Sequence, residues 1–77
     1  MCSYVTQNVD VAGYADSLEL KRIVVALDHP RFVDAEHAVC VDLRAENGDP
    51  SARVSVELDV GSARRLATAI LQALNEG

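Results

Sequence analysis

Both histidines of this chain lie in one stretch, Ala26-Leu27-Asp28-His29-Pro30-Arg31-Phe32-Val33-Asp34-Ala35-Glu36-His37-Ala38-Val39. Each follows a carboxylate: Asp28 precedes His29, and Glu36 precedes His37. Neutral imidazole binds transition metals and serves as a general base near neutral pH. Cys2 and Tyr4, at the start of the chain, add a soft sulfur ligand and a phenol. His29, His37 and Cys2 are candidate ligands for a divalent transition metal such as zinc, or for copper, with one coordination position left open. His29, His37 and Tyr4 are the candidate catalytic groups for moving protons on a small substrate. The eight-residue separation of the histidines matches no standard zinc spacing. The plainer reading is that His29 closes a strand and His37 bonds a loop carbonyl, because partly buried, hydrogen-bonded histidines are common.

These residues need elements to position them. Ser3 to Ala12 alternates in period two, with Val5, Val9 and Val11 on one side, which predicts a half-buried strand. Gly13 to Ser17 has turn chemistry. Leu18 to Leu27 is a second strand whose apolar phase changes at Lys21-Arg22. A one-residue bulge there would keep both apolar sets inward, and the alternative is a strand starting near Arg22. Pro30 ends that strand. A third strand spans His37 to Ala45, with Val39, Val41 and Leu43 on one face and Ala38, Cys40, Asp42 and Arg44 on the other. Asn47-Gly48 marks a turn. A fourth strand spans Ala52 to Leu58. Asp59 then caps a helix over Val60 to Asn75, in which Ala63, Leu66, Ala67, Ile70 and Leu74 recur at helical spacing.

Short connections between strands predict an antiparallel four-stranded meander. The helical stripe should pack on its valine-rich face, giving a single α+β domain of order ββββα over residues 1–77. In a meander, the end of strand two, the start of strand three and the helix N-terminus share one rim. The start of strand one arrives there as well. That rim would gather Cys2, Tyr4, Asp28, His29, Glu36, His37 and Asp59. Parity turns both imidazoles toward the covered face and Asp28 and Glu36 away from it.

The chain has 77 residues, 12 acidic and 7 basic, for a net charge of −5. That balance lacks the basic footprint of a nucleic-acid binder and disfavours anionic membrane surfaces. No apolar run reaches the roughly 18–20 residues of a membrane span. The N-terminus has neither the basic nor the apolar region of a signal peptide. A cytoplasmic location is therefore expected, with Cys2 and Cys40 as thiols. Mean hydropathy is +0.07, high for so small a chain, and suggests that a partner subunit buries apolar surface. Val24, Ala26, Ala38 and Cys40 form a small apolar patch on the face away from the helix. A homodimer through that patch, or through an edge strand beside it, is the expectation.

Met1-Cys2-x-Tyr4, Asp28-His29-Pro30, Ala35-Glu36-His37, Ala52 to Asp59 and Ser62-Ala63-Arg64 resemble a family of small, uncharacterised actinobacterial proteins. The resemblance covers nearly the whole chain and departs around Gly13 to Leu20, where that family carries more glycine and an aromatic residue. It implies a bacterial, cytoplasmic origin and no particular activity. Two functional expectations stand together. One is a histidine-centred small-molecule or metal site in a homo-oligomer, with acid-base or metal-assisted chemistry where it acts as an enzyme. The other is a non-enzymatic protein–protein interaction module with structural histidines.

Overall fold

The computed structural model describes residues 5–45 and 53–77. Within them the chain forms β1 (Val5–Ala15), β2 (Leu18–Asp28), β3 (Ala38–Arg44), β4 (Arg53–Asp59) and α1 (Val60–Glu76). The strands pair antiparallel in the order β1-β2-β3-β4, the expected ββββα meander. Cys2, Tyr4 and the Asn47-Gly48 turn lie outside the described residues.

The first hairpin is longer than its sequence suggests. Gly13, Tyr14 and Ala15 pair with Leu20, Glu19 and Leu18 instead of turning. The turn shrinks to Asp16-Ser17, with Asp16 at φ 54°. Aspartate tolerates this left-handed region better than a β-branched residue does. Asp16→Val should therefore lower stability by about 1–2 kcal/mol, measured by chemical denaturation. An unchanged denaturation midpoint would show that the turn relaxes freely.

The phase change in β2 is answered by an irregularity in its neighbour. Asp10 pairs with Arg22 and Gly13 with Leu20. Three steps along β1 therefore match two along β2, so the extra residue belongs to β1 and not to Lys21-Arg22. β2 itself runs unbroken from Leu18, which also corrects the later start. Leu20, beside the bulge, is one of two buried apolar residues among those described; the other is Ala38.

Pairing sorts the side chains into two faces. On one, the rows read Val5-Leu27-Val39-Leu58, Gln7-Val25-Val41-Val56 and Val9-Ile23-Leu43-Val54. On the other, they read Thr6-Ala26-Cys40-Glu57, Asn8-Val24-Asp42-Ser55 and Asp10-Arg22-Arg44-Arg53. The first face is apolar except for Gln7, and α1 lies on it.

Asp59 is both the last residue of β4 and the helix N-cap, so no loop separates strand from helix. Its carboxylate accepts the Ser62 N–H at 2.7 Å. That bond, then the Ser62 hydroxyl, holds the Asp59 carboxyl below its ordinary value. At the other end, the Gly77 N–H donates to the Ala73 carbonyl.

The helix leaves the strand end against β4 and β3, and its stripe covers less of the apolar face than its spacing suggests. No α1 residue is buried. Exposure climbs from 50% at Leu66 to 72% at Leu74, so the stripe is progressively less covered along the helix. On the sheet, Val5 remains 53% exposed and Val56 39%.

Candidate functional site

The loop between β2 and β3 runs from His29 to His37. Few of its backbone groups bond each other: Ala35 N–H to the Val33 carbonyl is the one such bond among the described residues. Glu57 on β4 supplies the missing acceptors. Its carboxylate takes the N–H groups of Arg31, Phe32 and Val33, each at 2.8 Å. Exposed amides without a partner would leave the loop free to sample many shapes. Three bonds to one carboxylate fix it.

Those bonds hold the Glu57 carboxyl below its ordinary value, the Arg31 amide contributing most, then Val33 and Phe32. A carboxyl depressed in the fold stabilises above its unfolded-state pKa, and that contribution is lost as pH falls through the depressed value. Amide-exchange protection at Arg31, Phe32 and Val33, corrected for intrinsic rates, should therefore persist through the usual carboxylate range. It should collapse only below that range. Loss of protection well above pH 5 would contradict the anchor. Alternation along β4 puts Glu57 on the side away from the helix, where a carboxylate is ordinarily just solvated. Its partners lie 24 to 26 residues away, so no local pattern marks it.

The anchored loop brings the imidazoles together. The His29 and His37 rings stack with centroids 6.0 Å apart and planes inclined by 23°. Both sit one step beyond the last ladder pair, Asp28 with Ala38. His29 is exposed and His37 half-buried. Of the residues expected at one rim, Asp28, His29, His37 and Asp59 come together, since β4 ends and α1 begins beside the same pair: Ala38 is also opposite Asp59. β1 starts at Val5, opposite Leu27, at this same end. Cys2 and Tyr4 lie outside the described residues, so the structure does not place them.

Two concavities meet at His37. One, of about 460 Å³, is bounded by His29, Pro30, Asp34, Glu36 and His37 on the outside of the loop. The other, of about 450 Å³, lies between sheet and helix, with Val25, Leu27, Val39, Val60, Ala63 and Ala67 as apolar walls. His37 and Arg64 are its polar groups. An apolar hollow with a cation and an imidazole at its edge suits a small molecule with an apolar body and an acidic or carbonyl end. Among the described residues, no group of three or more His, Cys, Asp or Glu side chains is arranged to hold a metal ion.

Asp28 sits at this rim on the opposite face of the sheet, as parity requires, and its carboxylate accepts the His29 N–H at 2.8 Å. Glu36 stays with the outer concavity. The opposite face of the sheet holds a separate polar cluster. Asp42 accepts the Ser55 hydroxyl at 2.6 Å and pairs with Arg44 at 3.2 Å and Arg53 at 3.3 Å. Burial raises the Asp42 carboxyl, but the Ser55 and Arg44 hydrogen bonds and the Arg53 charge outweigh it, so the net shift is downward. Burial, then the carboxylates of Glu57, Asp28 and Asp42, pushes the Cys40 thiol up. A shift in this direction makes the thiol less nucleophilic near neutral pH.

A small antiparallel α+β domain with a histidine rim is the class that fold and geometry define. The chain belongs to a family of unknown function, DUF6295, which it matches over residues 1–77. Neither a curated protein nor a solved structure matches it. No helix among the described residues is long and apolar enough to cross a membrane.

Proposed function

We propose that this protein binds a small acidic or carbonyl-containing molecule at the rim where His29 and His37 stack. The observation that carries the reading is the 6.0 Å histidine pair, of which His37 edges an apolar cleft that also presents Arg64. In it, the imidazoles and the Arg64 guanidinium hold the polar end of the ligand, while Val25, Leu27, Val39 and Ala67 receive its body. His37 borders both concavities and is the group placed to donate or accept a proton. Acid-base chemistry on the bound molecule is the enzymatic form of this reading, with Tyr4 as a further candidate group. The cytoplasmic, actinobacterial setting implied by the resemblance belongs to the same reading, as does a homo-oligomeric state. Nucleic acid and membranes are not partners in it.

A divalent transition metal such as zinc is the other ligand that the pair suits. Each imidazole nitrogen bonds a metal in its ring plane at about 2.0–2.1 Å, so the stacked rings must rotate from their observed orientation to share one. Cys2 is the third candidate ligand. Metal analysis of protein purified without a histidine tag, followed by calorimetric titration with zinc and with a panel of small carboxylic acids, tests both forms. Binding of one equivalent per chain is expected, and it should be absent in a His29→Ala/His37→Ala double variant. Equal binding by wild type and double variant would overturn the rim as the site.

A second reading has its own observation. The apolar face of the sheet and the apolar stripe of the helix are both open to solvent. That is the form of a protein–protein interaction module, with structural histidines beside the surface.

A further inference from the structure

The open surfaces on this chain come as a pair. The first is the stripe of α1, where Leu66, Ile70, Leu71 and Leu74 are all at least half exposed. The second is the uncovered side of the sheet face, where Val5 and Val9 of β1 continue the rows of Ile23 and Leu27. Neither has a cover among the described residues. Their dimensions agree. β1 and β2 together present a strip roughly 10 Å wide, at about 4.8 Å per strand. A helix with its side chains is about 10–12 Å across. The 17 residues of α1 extend about 25 Å, and the eleven-residue strands β1 and β2 extend about 36 Å, so the helix fits within the strip.

The total surface points the same way. A folded monomer of 8.3 kDa exposes about 4,600 Å². This chain exposes 5826 Å², an excess of roughly 1,200 Å² over that expectation. Permanent homodimers bury about 2,000 Å² or more in total, an area that an excess of this order on two copies would cover.

We propose that the occupant of this face is a second copy of the same chain. The α1 stripe of each protomer lies across the β1–β2 half of the partner's apolar face, in a reciprocal two-fold arrangement. The proposal rests on the second reading above, that the open face is an interaction surface, and it specifies both the partner and the contact. In this arrangement the partner's helix also closes the open side of the cleft beneath His37 and Arg64, so the ligand site is completed by assembly. The interface differs from the patch expected on the opposite face. There Ala38 is wholly buried within its own chain, and Asp42, Arg44, Arg53 and Ser55 already form a polar cluster. On the helix side Val5, Val9, Val54 and Val56 are exposed in addition to the α1 stripe.

The test compares the wild-type chain with Leu71→Glu, Leu74→Glu and Ala26→Glu. Leu71 and Leu74 are 62% and 72% exposed, so a charge there hardly disturbs a lone protomer. Wild type should sediment as a dimer at micromolar concentration, and its melting temperature should rise with protein concentration. Leu71→Glu and Leu74→Glu should shift the midpoint of dissociation to at least tenfold higher concentration. A variant that unfolds on dissociation also supports the proposal, provided that its refolding depends on concentration. Ala26→Glu, on the opposite face, should leave the dimer in place. A dimer that survives both helix variants but is broken by Ala26→Glu would overturn this contact and leave the homo-oligomer standing. A wild-type monomer at 100 µM with a concentration-independent melting temperature would overturn both.

Discussion

His37→Ala is expected to weaken binding at the rim by at least about a hundredfold, equivalent to about 2.7 kcal/mol, while the sheet and helix remain folded. His37 borders both the outer concavity and the apolar cleft, so its removal strips a polar contact from each. His29 borders the outer concavity and is exposed. His29→Ala should act in the same direction with a smaller effect. Both residues lie beyond the last ladder pair of β2 and β3, so neither substitution removes a strand partner. Each substitution removes one ring of the stacked pair, a loss of about 0.5–1.5 kcal/mol, so a cooperative fold should remain. Calorimetric titration and thermal melting on the same samples separate the two quantities. If His37→Ala loses stability by several kcal/mol and binding falls only in proportion to the unfolded fraction, the histidine is structural and the rim is not a site. Glu57→Ala offers an independent check. It touches neither concavity's histidines but frees the loop that aligns them, and loss of such supporting contacts typically weakens binding about 10- to 100-fold.

Ala38→Asp should abolish folding of the isolated domain. Ala38 is 0% exposed, and its ladder partners are Asp28 and Asp59. An aspartate there would be desolvated and placed between two carboxylates with no cation in the row. An unpaired buried charge costs several kcal/mol, and a single domain of this size has only about 3–5 kcal/mol available. Circular dichroism should show loss of both strand and helix signals at neutral pH. Partial recovery is expected at a pH low enough to protonate the new carboxyl. Ala38→Val, which adds bulk without charge, should cost about 1–3 kcal/mol through overpacking and keep a cooperative transition. A cooperative, wild-type-like melt for Ala38→Asp would show that the strand can twist this position out to water.

Much of the architecture could be read from local pattern. Alternating valines and leucines assign the strands and their inward faces, because side chains on a strand change face at every residue. Asp59 followed by the Ala63, Leu66, Ala67, Ile70 spacing assigns the helix and its start. Antiparallel topology alone brings His29 and His37 to one rim, since consecutive strands joined by a short loop must end and begin at the same side.

Three features depended on the tertiary structure. The bulge lies in β1 although its sequence signal lies in β2, because register belongs to a pair of strands and either one can absorb the extra residue. Glu57 anchors a loop 24 to 26 residues away, a contact created by the placement of β4 beside β3. The extent of cover on the apolar face follows from the direction in which α1 leaves Asp59. Sequence determined which residues are apolar and on which side they lie, because periodicity is a property of neighbours in the chain. How far the helix covers them depends on a junction angle in space, and periodicity carries no information about that angle.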